Sequence, residues 1–497
     1  MSSPPKTLHF AVFPLPAQGH MVPMIDIARI LAHHGCTITI ITTPVNANRF
    51  NSVIERAIEH KLDIRVVELE LRLADVGLPE GCESLDMLSS ADPWFKLLGA
   101  IDMLEEPAEQ VLRGLSPAPD CIISDNFIPW TTDVARRLNI PRLVFHGPGC
   151  FSILCMHIAT STNMFDGIES DSQPFVLPGL PHRIEVTKLQ AFGNSKPNTA
   201  KPRDPDTSEA KTYIERVREG EKAAYGILVN SFKELEPEYA QELAKAKDKK
   251  VWCIGPVSLF NKSDLDIAER GNKATINEHD CLKWLEGREP GSVVYVCLGT
   301  LTHTSTEQII ELGSGLEMTG VPFVWCIRNK TEELAKWFSE SGFVERVGDQ
   351  GLIIYGWAPQ VLILSHRAIG GFLTHCGWNS TLEAICSGVP MVTWPHFADQ
   401  FYNEKFIVQV LKIGVRIGVE IPVVMGGQDT IETLVKKEEV KVAIECLMNG
   451  GDEGEERRKR ARELAETAKR AMNDGGSSIL NMTSMIQDIT EQLAVNE

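Results

Sequence analysis

The chain has 497 residues, 43% of them hydrophobic and 23% charged, and a formal net charge of -18. That length calls for two or more domains with sizeable cores, and the composition is that of a water-soluble globular protein. The acidic balance argues against a general nucleic-acid binder and against docking on an anionic membrane, and no stretch reaches the roughly 20 apolar residues of a membrane span.

Twelve cysteines are scattered singly from Cys36 to Cys446 with no CxxC pair, which fits reduced thiols better than a disulfide framework or a zinc site. The opening MSSPPKTLHFAVFPLPAQGH carries one lysine and a short apolar run broken by prolines. It matches neither a signal nor a transit peptide, so a cytoplasmic location is expected.

In chain order, Leu8–Phe13 reads as a buried strand, Pro14–Gly19 as a loop, and Pro23–Leu31 as a helix closed by Gly35. Further strands are expected at Thr37–Thr42, Ile64–Val67, Cys121–Ser124, Leu143–Phe145 and Gly226–Val229. The strand-helix-strand rhythm predicts an α/β fold with a parallel, doubly wound sheet. Ser195–Asp206 is polar and proline-rich, hence a surface loop, and Pro256–Asp264 reads as an interdomain linker after Val251–Gly255. The pattern restarts at Ser292–Leu298 and continues through Val321–Cys326, Leu352–Tyr355, Ile369–Thr374 and Met391–Trp394. Asp452–Met472 reads as a solvated, charge-balanced helix. The domains expected are 1–255 and 256–475.

The most informative stretch runs from Trp357 to Gln400, WAPQVLILSHRAIGGFLTHCGWNSTLEAICSGVPMVTWPHFADQ. Within it the strand Ile369–Thr374 meets His375-Cys-Gly-Trp-Asn-Ser380, and Thr381–Ile385 has helical spacing stopped by Gly388 and Pro390. A strand-loop-helix with small and polar residues at the helix start is an anion site, because its free backbone N–H groups point at the ligand. A pyrophosphate is the expected anion. In the first half, His20 and Asp125 stand at the carboxyl ends of two expected strands, where α/β folds bind ligands. A lone histidine is more often structural, and an Asp at such a junction is often a cap. His20 falls in the expected loop just ahead of the Pro23 helix, where a helix start favours the neutral imidazole.

The Trp357–Gln400 stretch resembles, nearly position for position, the signature box of plant family 1 UDP-glycosyltransferases, and the resemblance extends loosely over the whole chain. It implies a GT-B fold: two doubly wound Rossmann-like domains facing across a cleft, with the last helix, Ser478–Leu493, crossing back onto the N-terminal domain. It implies an inverting transfer with His20 as base and Asp125 as its orienting carboxylate. For the donor it implies Gly299 and Thr300, His375, Gly377, Asn379 and Ser380 at the pyrophosphate, and Trp357 and Ala358 at uracil. Gln360 and Glu383 would meet ribose, and Asp399 and Gln400 the sugar hydroxyls. Gln400 together with Trp378 is the pattern associated with glucose. Glu383 keeps a second reading, since Ser380-Thr-Leu-Glu383 is also a capping box, although a carboxylate suits a ribose diol. Departures from the family pattern are Thr300 for serine, His396 for an apolar residue, and Pro148 after Phe145-His-Gly147.

No cofactor and no metal are expected beyond the UDP-glucose co-substrate, since Asp204-Pro-Asp206 and Asp264-Leu-Asp266 lie in polar loops. A dehydrogenase is disfavoured because Gly313-Ser-Gly315 runs on to Met318 inside a helical pattern. A nucleotide-sugar sensor would lack the His20–Asp125 pair. The segment from Arg270-Gly-Asn-Lys-Ala to Leu285-Glu-Gly, with Phe145-His-Gly, looks like the subgroup acting on triterpenoids, steroids and flavonoids. Apolar stretches at Asp92–Leu98 and Phe145–Met156 suggest a hydrophobic small-molecule acceptor. A triterpenoid or steroid aglycone or saponin ranks above a flavonoid. The chain is expected to work as a monomer.

Overall fold

The computed structural model describes residues 7–88, 94–161, 168, 170–192, 206–302, 304–328, 331–423, 434–449 and 451–496. The expected loop at Ser195–Asp206 lies outside these residues except for Asp206, which opens a helix to Ala223. Asp92 and Pro93 also lie outside them.

The strands in chain order are β1 His9–Phe13, β2 Thr37–Thr42, β3 Ile64–Glu68, β4 Cys121–Asp125 and β5 Arg142–His146. A two-stranded ribbon follows, β6 Phe175–Val176 and β7 Glu185–Val186. Then come β8 Gly226–Val229, β9 Lys250–Cys253, β10 Val293–Cys297, β11 Phe323–Ile327 and β12 Gly351–Tyr355. The last are β13 Ile369–Thr374, β14 Met391–Thr393 and β15 Gly414–Arg416. One parallel sheet has the order β3-β2-β1-β4-β5-β8-β9 and a second β12-β11-β10-β13-β14-β15. In each, the chain winds outward one way from a central strand and then the other way. The switch points lie between β1 and β4 and between β10 and β13. Ligands bind outside the carboxyl ends of strands at such points.

The first sheet is apolar on both faces. Phe10, Val12, Ile38 and Ile123 enter one core and Ala11, Phe13, Ile41 and Ile122 another, as expected when helices cover a parallel sheet on both sides. The second sheet is likewise buried on both faces, with Val294, Val296, Trp325 and Leu373 in one core and Val293, Tyr295, Val324 and Phe372 buried on the other side.

The chain divides into two compact units. The first holds residues 1–150, 200–261 and 470–497, and the second 151–199 and 262–469. Residues 151–199, on the first side of the expected boundary at 255, group with the second unit. There Ser152 Oγ donates to Asn403 Oδ1 (2.7 Å) and Phe151 stacks on Phe406. The expected linker is anchored in the first unit as far as Asn261, which accepts from Arg29 and donates to Asp26 (2.9 Å), while Val257 is buried in the core. The last helix, Ser477–Asn496, inserts Met482, Met485 and Ile489 into that same core.

All twelve cysteines are free thiols. Among the described residues no helix is long and apolar enough to cross a membrane.

Candidate active site

In the first unit the chain leaves β1, and Ala17 caps a helix running Gln18–His33. The helix starts five residues before Pro23, which sits inside it, so His20 is in the first turn and not in a loop ahead of it. The amides of His20 (2.9 Å) and Met21 (2.8 Å) already bond the Ala17 carbonyl, while Pro23 forgoes only a bond to Gly19 near the helix start. His20 Nδ1–H donates to Asp125 Oδ2 at 2.7 Å. The carboxylate is wholly buried at the end of β4, and its other oxygen accepts the Phe127 N–H (2.9 Å). With the proton held on Nδ1, the ring's lone pair lies on Nε2, the arrangement a general base requires.

Two residues behind this pair hold it in place. Arg142, buried at the start of β5, donates to Ser124 Oγ (2.7 Å), Thr132 Oγ1 (2.8 Å), and the carbonyls of Gly220 (3.1 Å), Asp125 (3.2 Å) and Ile128 (3.3 Å). Burial pulls its pKa down to about 10, so it stays a cation at neutral pH. It therefore ties the β4 end and the following turn together. Gly147, just past β5, lies against the imidazole; a Cβ there would stand 2.8 Å from His20 Cε1.

In the second unit β13 ends at Thr374, and Gly377 caps the helix Trp378–Ser387 with no side-chain cap bond. Trp378, Asn379 and Ser380 thus form the first turn, where the backbone N–H groups of a helix start point outward along the axis. The His375 ring is held between two glycines, since a Cβ on Gly299 or Gly377 would lie 2.5 or 2.3 Å from its Nε2. Burial lowers the His375 pKa to about 4, so the ring is neutral and can still donate one N–H. Cys376, between them, holds a left-handed φ of 63°, a strained conformation for a non-glycine residue at a turn. Thr300 follows Gly299 beside this turn at the end of β10.

Further along the same sheet edge, half-buried Trp357 follows β12 and leads through buried Ala358 into the helix Gln360–Ser365. Gln360 Nε2 donates to Ser380 Oγ (3.0 Å) and to Glu383 Oε2 (2.7 Å). The capping-box reading of Ser380 and Glu383 is incorrect: the cap is Gly377, Ser380 is the third residue of the helix, and Glu383 instead pairs with Arg270. Asp399 is half-buried. Gln400 is buried, and its Oε1 accepts the N–H groups of His396 (2.8 Å) and Phe397 (3.2 Å), which leaves the amide N–H groups as donors. Asp399 Oδ2 accepts from Asn403 (2.7 Å). Trp378 is a buried packing residue against Phe406.

Residues 274–448 match the family model "UDP-glucoronosyl and UDP-glucosyl transferase". UDP-glycosyltransferase 73E1 of Stevia rebaudiana is 60% identical over 494 residues, 99% of this chain and 98% of the relative. The chain belongs to the plant family 1 UDP-glycosyltransferases. UDP-glycosyltransferase 73C11 of Barbarea vulgaris is 50% identical over 491 residues, 97% of each chain. Among solved structures, Glycyrrhiza uralensis UGT73P12 complexed with glycyrrhetinic acid 3-O-monoglucuronide matches at TM-score 0.87 and 34% identity, over 99% of this chain and 98% of that one. Arabidopsis thaliana UGT89C1 complexed with UDP-L-rhamnose matches at 0.74 and 26%, over 98% and 100%. The fold is GT-B.

In this glycosyltransferase the expected residues gather at the two switch points: His20 with Asp125 in one unit, and Gly299, His375, Gly377 and the helix start in the other. Arg142, Gly147 and Arg270 escaped the sequence reading as site residues. The signal for Arg142 was a lone cation opening an apolar strand, Arg142–His146; for Gly147 it was a glycine at a strand's carboxyl end. Of the Asp-x-Asp pairs, Asp264 and Asp266 fall in one short helix capped by Ser263, and Asp204-Pro205 lies outside the described residues. Among the described residues no three His, Cys, Asp or Glu side chains are grouped to hold a metal.

Proposed function

We propose that this glycosyltransferase moves glucose from UDP-glucose to a hydroxyl of a hydrophobic plant metabolite, with inversion and without a metal. The observation that carries the reading is the 2.7 Å bond between His20 Nδ1 and the buried Asp125 at the β1/β4 switch point. Nε2 takes the acceptor's hydroxyl proton, the oxygen attacks the anomeric carbon, and the imidazolium that forms is balanced by Asp125. UDP leaves as an anion, with its charge met by the helix start at 378–380 and by His375. Trp357 offers a face to uracil, Glu383 accepts from the ribose hydroxyls, and the Gln400 amide and Asp399 bind the glucose hydroxyls.

A triterpenoid or steroid aglycone or saponin ranks first as acceptor. The neighbour complexed with glycyrrhetinic acid 3-O-monoglucuronide supports this. The test is UDP release from UDP-glucose, UDP-galactose and UDP-glucuronic acid with triterpenoid, sterol and flavonoid panels. UDP-glucose with a triterpenoid or sterol should give the fastest release and a β-glucoside. His20→Ala should lose about 10²–10⁴ of that rate. A flavonoid-only response would replace the acceptor class, and a fully active His20→Ala would refute the mechanism.

A further inference from the structure

The signature stretch Trp357–Gln400 contains three charged side chains, Arg367, Glu383 and Asp399. Arg367 is exposed and precedes β13, at the amino end of the sheet, where its carbonyl accepts from Gly291. The ligand end of the stretch therefore presents two carboxylates and no cation to a doubly charged diphosphate. A cation comes from outside it. Arg270 hydrogen-bonds Glu383 Oε1, and the two side chains are only 8% and 7% exposed.

The residues around Arg270 run over the same end of the site. Gly271 has a φ of +100°, and a Cβ on it would lie 2.6 Å from Trp357 Cζ2, so its backbone rests on the indole. Thr275 N–H donates to the Trp357 carbonyl (2.9 Å) and its hydroxyl to the Tyr355 carbonyl. A Cβ on Gly356 would meet Thr275 Cγ2 at 2.7 Å. Just upstream, the helix Asp264–Ala268 packs on Gln360–Ser365. The segment thus touches Trp357, the Gln360 helix and Glu383, the three features that would receive a nucleoside.

We propose that residues 269–275 form a strap over the nucleoside end of the donor site, and that Arg270 is a positioning residue that neutralises Glu383 and aims it at the ribose. This rests on the UDP-sugar reading of the second unit. A buried carboxylate stripped of its cation either repels the incoming diphosphate or takes up a proton, and in neither form does it receive a ribose diol well. A merely structural ion pair would affect stability and leave affinity alone.

The experiment is calorimetric titration of UDP into the full-length protein, with KM and kcat for UDP-glucose on the same samples. The variants are Arg270→Met, Arg270→Lys, Glu383→Gln and the Arg270→Met/Glu383→Gln double. Arg270→Met should weaken UDP binding at least tenfold and raise KM more than it lowers kcat, with Arg270→Lys recovering part of the loss. In the Glu383→Gln background the same change should cost less than threefold. UDP affinity in Arg270→Met within twofold of native, or tighter, overturns the proposal, as does an equal loss in both backgrounds. If Arg270→Met does not fold, Gly271→Ala answers the same question: displacing the indole should weaken UDP tenfold, and unchanged binding refutes the strap. A native protein that binds no UDP would instead bring down the donor reading itself.

Discussion

Gly147 lies so close to the His20 ring that one methyl group decides the geometry of the candidate base. In Gly147→Ala the new Cβ would stand 2.8 Å from Cε1 and 3.2 Å from Nδ1, well inside contact distance, so the imidazole must turn. Turning it breaks the 2.7 Å bond to Asp125, which is what fixes the proton on Nδ1. We expect kcat to fall about tenfold or more, the equivalent of ~1.4 kcal/mol in the barrier, while the KM for UDP-glucose moves far less. Steady-state kinetics at saturating acceptor check this, and an unchanged kcat would show that the ring's position does not limit the reaction. Arg142 works on the same pair from further back. Its guanidinium holds the backbone that carries Asp125, with five donors for five acceptors and no carboxylate hydrogen-bonded to it.

Among the elements, the last helix shows how sequence-distant segments complete a core. Met482, Met485 and Ile489 recur at i, i+3 and i+7, the spacing of one helical face, and all three are buried in the first unit. Asp488 pairs with Lys250 of β9 (2.8 Å), and Asn481 donates to the Cys253 carbonyl (2.9 Å). Met485→Ala removes a fully buried side chain and should cost about 2–5 kcal/mol of first-unit stability. A lowered urea midpoint followed by tryptophan fluorescence is the expected result; an unshifted midpoint would show that the helix face contributes no net stability. The helix itself could be read from its apolar spacing. Its target could not, because an apolar face fits any apolar surface, and in sequence reading the family resemblance supplied that surface.

For the molecule as a whole, the buried histidines set an acid limit. Burial holds His396 at a pKa of about 3 and His375 at about 4, against about 6.5 in an unfolded chain. Below about pH 6.5 the unfolded chain takes up protons that the folded one refuses. Stability is therefore full above that pH and falls as the pH drops toward 4, by at most about 1.4 kcal/mol per pH unit for the fully buried His396. His396→Leu removes one of these groups and keeps the apolar contact with Trp394, whose ring lies parallel to the imidazole. The apparent melting temperature of the variant should drop less between pH 7.5 and pH 5 than that of the native protein. An identical drop would place the acid sensitivity elsewhere.

By itself the sequence determined the α/β class, most strands of the two parallel sheets and the stretch that carries the family signature. Those features are encoded locally, in apolar runs, in glycines at helix ends, and in small polar residues at a helix start. It did not determine where the first helix begins, because Pro23 reads as a helix start when the capping geometry at Ala17 is unseen. Nor did it show that Glu383 has a cation and Gly377 the cap, since the capping-box letters are satisfied whether or not the cap forms. The tertiary structure decided which residues meet. His20 and Asp125 are 105 positions apart and Arg270 and Glu383 are 113 apart, and strand order and chain packing, not sequence spacing, bring each pair within a hydrogen bond. Pairing at that range is set by how sheets wind and side chains pack, which no local pattern of residues contains.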